Sequence, residues 1–197
     1  MKKDIILAGV GGQGVLSIAA IIARAAVKKG LMVRQSEVHG MAQRGGAVLA
    51  HLRLSDRTIA SDLVPRGGAD LIISMEPLES LRYAGWLSPM GVLVTAVEPF
   101  VNIPDYPPVE SIKKMIELFP FYRIVEAAAL AKEAGLVRAV NMVMVGAASP
   151  FLPLEEEILE ATIDGQFAAA GPAVAEANRK AFSLGRNAAV LGEPQNG

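Results

Sequence analysis

The amino-terminal third of the chain alternates short apolar runs with longer apolar-rich stretches. Ile5-Ile6-Leu7-Ala8 is four apolar residues in a row, the pattern of a strand covered on both faces. The run Gly9-Val10-Gly11-Gly12-Gln13-Gly14 follows it. Val15 to Lys29 then contains neither Gly nor Pro and is rich in Ala, Ile and Val. This stretch predicts a helix that is apolar nearly all round, hence buried, and closed by Lys28, Lys29 and Gly30. Met32 to Ser36 predicts a second short strand. Strand, glycine turn, helix and strand together predict the opening βαβ unit of an α/β fold.

Glu37 to Gly46 is polar and glycine-containing and reads as a loop. From Ala47 to Ser55 the pattern switches to period two. Val48, Ala50, Leu52 and Leu54 fall on one face, and His51 and Arg53 on the other. That predicts a strand which is antiparallel or at an edge. Further strands are predicted at Leu71–Ser74, Gly91–Val97 and Tyr122–Val125. Helices are predicted at Pro77–Tyr83, Val109–Leu118 and Ala127–Ala134. The segment Asn102–Pro108 holds three prolines and must be a loop. The last third is helical in pattern, at Val140–Ala148, Leu154–Thr162 and Pro172–Leu184. There Pro172 suits a first turn and Gly185 a stop, and residues 192–197 form a frayed tail. The sum is a three-layer α/β/α, Rossmann-like fold in one domain over residues 1–197. Its sheet is mostly parallel, with the Ala47–Ser55 strand antiparallel or at an edge, and extra helices close the chain.

Composition narrows the chemistry. Nineteen Lys and Arg face twenty Asp and Glu in 197 residues, a net charge of −1. Bulk electrostatic coating of nucleic acid is therefore not expected. There are no cysteines and only two histidines, His39 and His51. Thiolate metal sites, iron–sulfur clusters and a cysteine nucleophile are excluded within this chain, and a multi-histidine metal site is not expected. Apolar residues reach 52 % while aromatics are 5 %. Small aliphatic residues thus suit a tightly packed core, and their surplus suits one apolar face more than a monomer needs. No apolar run approaches the roughly 18 residues of a membrane span, and Arg24 interrupts the best candidate, Val15–Val27. No signal peptide is read, so a cytoplasmic chain is expected.

Two segments carry candidate chemistry. Gly9, Gly11 and Gly14 have the spacing G-x-G-x-x-G between a strand and a helix. Glycines there let a ligand approach the backbone, and the amides of the helix start face an anion. A tight strand-to-helix crossing with no ligand produces the same spacing. A dinucleotide reading also asks for an acid at the end of the second strand, which Glu37 supplies. Against it, Gly12 and Gln13 make this turn more permissive than the fingerprint requires. The second segment is Ser36-Glu37-Val38-His39-Gly40-Met41-Ala42-Gln43-Arg44-Gly45-Gly46. It brings a hydroxyl, a carboxylate, an imidazole, an amide and a guanidinium to the carboxyl end of a strand, where α/β folds bind ligands. Arg44 before Gly45 and Gly46 suits a side chain reaching a phosphate or carboxylate. It equally suits an ion pair with Glu37.

GVGGQGV and SEVHGMAQRGG as a pair resemble the gamma domain of the 2-oxoacid:ferredoxin oxidoreductases, in the form of the small subunit of the indolepyruvate type. The likeness runs over most of the chain, including Asn141 and the stretch from Asn178 to Gly185. It implies a subunit of a complex that oxidatively decarboxylates aryl 2-oxoacids to acyl-coenzyme A, with electrons passing to ferredoxin. It places thiamine diphosphate, magnesium and 4Fe-4S clusters on a large alpha subunit. For this chain it implies contact with coenzyme A, or with the alpha subunit, through Gly9, Gly11, Gly12, Gln13, Gly14, Ser36, Glu37, His39, Arg44, Gly45, Gly46 and Asn141. No metal site and no catalytic residue are expected in the chain alone.

Other residues have plainer readings. Asn141 suits a helix cap or, as an amide, a ligand contact, with capping preferred. Met142 and Met144 suit core filling. Trp86 suits either a partner-facing anchor or a buried site. Lys113 and Lys114 form a solvated face, and Glu155-Glu156-Glu157 oppose a helix dipole. The competing function is a free-standing NAD- or FAD-dependent enzyme using Gly9, Gly11, Gly14 and Glu37.

Overall fold

The computed structural model describes residues 1–39, 45–101 and 103–191. Six strands form one sheet: β1 (Lys2–Val10), β2 (Met32–His39), β3 (Ala47–Ser55), β4 (Ala69–Ser74), β5 (Leu87–Ala96) and β6 (Tyr122–Val125), in the order β2-β3-β1-β4-β5-β6. β1, β4, β5 and β6 pair in parallel, while β3 is antiparallel to both of its neighbours. The helices are α1 (Val15–Lys28), α2 (Pro77–Arg82), α3 (Val109–Ile116), α4 (Ala127–Glu133), α5 (Val140–Ala148), α6 (Glu156–Phe167) and α7 (Pro172–Leu191). One face of the sheet is covered by α1 and α4 to α7, around Ile5, Leu7, Ile73 and Phe182. The other is covered by α2 and α3, around Ile6, Ile72, Ile112 and Ile116. The three layers of the sequence reading are therefore present.

The opening unit differs from the expected βαβ pair. β1 and β2 do not touch, because β3 is inserted between them, with His51 opposite both Ile6 and Ser36. The reason lies in β3 itself. Its nine residues are apolar enough to be buried on both sides, so both of its edges need partners. Ser36 lies in the strand as predicted, but Glu37 and His39 also belong to strand and not to loop. β2 continues to His39, pairing Glu37 with Ala50 and His39 with Val48. A charged residue such as Glu37 is tolerated there because β2 is an edge strand and the Glu37 side chain is exposed.

The carboxyl-terminal helix also departs from expectation. α7 runs through Gly185 without stopping. A Cβ placed on Gly185 would lie 2.0 Å from the Val143 carbonyl oxygen, and one on Gly146 would lie 1.9 Å from that of Phe182. These two glycines let α5 and α7 cross with their backbones in contact. The crossing fixes where α5 begins, and so the position of Asn141. α6 begins at Glu156, later than the predicted Leu154. Glu155 and Glu156 pair with Lys29 and Arg186 at 2.5 and 2.7 Å.

At the far end of the sheet, buried Asp4 accepts from the Arg53 guanidinium at 2.8 and 3.1 Å. Arg53 Nη1 also donates to the carbonyls of Ser61 and Leu63. Trp86 is half-buried, with the Arg66 guanidinium 4.4 Å above its ring and Tyr83 against its edge. No helix among the described residues is long and apolar enough to cross a membrane.

Candidate functional site: a cleft at the strand ends

From β1 the chain passes through α1 to β2 on one side. From β4 it passes through α2 to β5 on the other. The carboxyl ends of β1 and β4 are therefore the point where the winding reverses, the usual ligand position in such sheets. The glycine turn occupies this point. Gly9 is there for space: a Cβ on it would lie 2.7 Å from Val15 Cγ2 and 3.1 Å from Met75 Cβ. Gly12 and Gly14 have φ of +99° and +81°, values that side-chain-bearing residues avoid. Gly14 caps α1 without a side chain.

The two sequence motifs meet through their backbones. Gly11 N–H donates to the Gly46 carbonyl at 2.8 Å, and Gly45 N–H to the Gly11 carbonyl at 3.4 Å. Ser36 and Glu37 lie two strands away from β1. Gly40 to Arg44 fall outside the described residues, so the Arg44 expectation has no position here. Gln13 turns inward, its carboxamide engaged by Val10 and Met75 backbone groups.

On the β4 side of the turn lies a cleft of about 490 Å³. Its walls are Gly12, Gln13 and Gly14, then Met75 and Glu98, then Ala128, Arg138, Val140 and Asn141. A second hollow of about 360 Å³ lies on the β3 side, between the turn, Leu16 and Val48. Asn141 is not the cap of α5; Ala139 holds that position. Asn141 instead sits in the first turn, its Oδ1 accepting the Met142 N–H at 3.1 Å. Its Nδ2 lies 3.4 Å from where a Cβ on Gly14 would be. The starts of α1 and α5 therefore converge, and both present the positive ends of their dipoles to the cleft.

The charges of the cleft come from residues that the sequence pattern did not single out. Arg138 is exposed at the mouth, in a 3-10 turn, and is the one cationic residue among the described residues lining the cleft. Glu98 follows β5. Its Oε1 accepts the Ala128 N–H at 2.7 Å, while its buried Oε2 has no hydrogen-bond partner among the described residues. The rule that chemistry gathers at strand carboxyl ends would have found Glu98. Nothing periodic marks Arg138.

A buried carboxylate supports the loop that carries Glu98. Glu76, 1 % exposed, accepts from the N–H groups of Glu79 and Phe100 at 2.7 and 3.3 Å, and from the Tyr106 hydroxyl. Burial first, and the bond to Glu76 second, push the Tyr106 phenol far above its ordinary pKa. Burial likewise raises Glu79 despite the nearby Arg82 guanidinium. No group of three or more potential metal-ligating His, Cys, Asp or Glu side chains occurs among the described residues.

Two features of this geometry oppose a dinucleotide site. The Gly11 amide, where a pyrophosphate would approach, is already bonded to Gly46. Glu37 stands on β2, two strand spacings or about 10 Å from β1, too far to serve a ribose above the turn.

The family model for pyruvate ferredoxin/flavodoxin oxidoreductase matches residues 4–188, and the chain belongs to this family. It is 38 % identical to the indolepyruvate oxidoreductase subunit IorB of Pyrococcus horikoshii, over 96 % of this chain and 97 % of the relative. It is 36 % identical to IorB of Archaeoglobus fulgidus, over 98 % of each. Among solved structures, the gamma subunit of a keto/oxoacid ferredoxin oxidoreductase from Geobacter sulfurreducens superposes with a TM-score of 0.69. It is 25 % identical, with 95 % of this chain and 98 % of that one covered. The 2-oxoglutarate:ferredoxin oxidoreductase of Magnetococcus marinus, determined with 2-oxoglutarate, coenzyme A and succinyl-CoA, superposes with a TM-score of 0.79 at 22 % identity. That match covers 99 % of this chain but only 32 % of the longer one, so the present chain spans about a third of it.

Proposed function

We propose that this chain is the small subunit of a cytoplasmic indolepyruvate:ferredoxin oxidoreductase, and that it acts in complex with a large alpha subunit. End-to-end identity of 36 to 38 % with IorB subunits carries this reading. Thiamine diphosphate, magnesium and the 4Fe-4S clusters belong to the alpha subunit. The donors present here do not fit them, since the chain has no cysteine to ligate iron. The complex decarboxylates an aryl 2-oxoacid, passes two electrons to ferredoxin and gives the acyl group to coenzyme A. The substrate pocket and the redox steps lie outside this chain.

The contribution of this chain is the cleft. Arg138 at the mouth supplies a full charge for a phosphate. The amides of Gly12, Gly14, Val15 and Leu16, which have no backbone partner among the described residues, add donors at the α1 start. Met75 and Val140 offer apolar contact deeper in, and Asn141 an amide. Charge outside, amides and aliphatic surface within, suit an extended ligand with a phosphate end and an amide-bearing arm, as coenzyme A has. Exposed Phe100, Val101 and Ile103, on the Glu98 loop beside this cleft, offer an apolar surface for the alpha subunit.

The test is Arg138→Ala in the assembled complex. Loss of one charge-assisted hydrogen bond is worth about 1.5–3 kcal/mol, so KM for coenzyme A should rise roughly 10- to 100-fold with kcat little changed. An unchanged KM would remove this cleft from the coenzyme A site.

A further inference from the structure

Gln13 stands in the middle of the glycine turn, yet its polar atoms are not offered to the cleft. Oε1 accepts the Val10 N–H at 2.7 Å, and Nε2 donates to the Met75 carbonyl at 3.2 Å. A backbone N–H only donates and a carbonyl only accepts, so the two partners fix the orientation of the carboxamide. Val10 ends β1, and Met75 is the first residue after β4. One side chain thus ties together the ends of the two strands from which the chain departs in opposite directions. Gly9 makes the room for it: a Cβ at Gly9 would lie 3.0 Å from Gln13 Oε1.

We infer that Gln13 is a positioning residue for coenzyme A, acting through the backbone and not by touching the ligand. This rests on the proposed reading of the cleft. The carboxamide extends the link between β1 and β4 one step beyond the backbone bond from Met75 N–H to the Ala8 carbonyl. It also holds the turn in the shape that sets Gly12 and Gly14 at positive φ, with Gly14 against Asn141. Without it the turn keeps its glycines and the backbone bonds from Gln13 N–H to the Val10 carbonyl and from Gly11 N–H to Gly46, but loses its side-chain link to Met75, and binding suffers before chemistry does.

Three measurements on the full chain and its complex test this. Gln13→Ala should raise KM for coenzyme A about tenfold while kcat holds, and should speed hydrogen exchange at the Val10 amide. Gln13→Glu should match it at pH 8, where the introduced carboxylate sets an oxygen against the Met75 carbonyl. As the pH falls towards 5 the carboxyl gains a proton, can donate as the amide did, and KM should return towards the wild-type value at that pH. A purely structural role would instead lower the yield of complex and kcat together. KM values equal to wild type for both variants across this range would overturn the inference, as would faster Val10 exchange with unchanged KM. If Arg138→Ala raises KM where the Gln13 variants do not, only this inference fails. If none of them moves KM, the reading of the cleft fails with it.

Discussion

His51 lies in the middle of β3 and is 5 % exposed, with its Nδ1 accepting the Val64 N–H at 3.1 Å. That bond needs the neutral imidazole, since a protonated Nδ1 would direct a hydrogen at another donor. Burial, and then the Arg53 guanidinium, depress its pKa below the ordinary 6.5. The folded state therefore resists a proton that the unfolded chain takes up near pH 6.5. The stabilisation is complete above that pH and is lost as pH falls through the lowered folded value. His51→Asn keeps an acceptor for Val64 and removes the titration. Urea denaturation should then show wild type losing stability relative to the variant between pH 6.5 and 5, and parallel profiles would refute the assignment. At this scale the sequence was informative wherever a residue's role is local. Gly11 and Gly14 sit in the turn that their spacing indicated, while Gly9 still belongs to β1. Gln13 was legible as part of the turn but not as its tie, because Met75 is 62 positions away. Arg138 was not legible at all, since a lone arginine in a short turn acquires meaning only when α5 and the glycine turn meet.

Helices and strands were readable where period and punctuation agreed. β3 and β6 have the bounds that their patterns gave, and α1 ends one residue early. Errors came where one signal has two physical causes. Glycine closes helices because it accepts positive φ, and it also permits backbone-to-backbone crossing. Gly185 serves the second purpose, and only the position of Val143 on another helix distinguishes the two. Asn141 failed as a cap because α5 starts at Val140, the bound its pattern gave, which leaves Ala139 in the cap position and Asn141 inside the first turn. Gly185→Ala should push a methyl group into the Val143 carbonyl and force α5 and α7 apart. Overpacking of this kind costs at least about 1–3 kcal/mol, a loss in Tm of several degrees for a chain of this size. Calorimetry of the variant checks it, and an unchanged Tm would mean that the crossing has slack.

The layering of the whole followed from strand–helix alternation, but the strand order did not. Inserting β3 between β1 and β2 requires a pairing over about 45 residues, and the pattern of either strand alone cannot announce it. That insertion has a functional consequence. It carries Glu37 away from the turn, brings Gly45 and Gly46 onto Gly11, and converts a nominal dinucleotide fingerprint into one wall of a different cleft.

Calorimetric titration of coenzyme A and of NAD into the assembled complex, and into this chain alone, tests the central claim most directly. The account predicts saturable binding of coenzyme A to the complex, weakened by Arg138→Ala, with no heat from NAD in either preparation. Stoichiometric binding of NAD by the single chain, with coenzyme A silent in both, would contradict it.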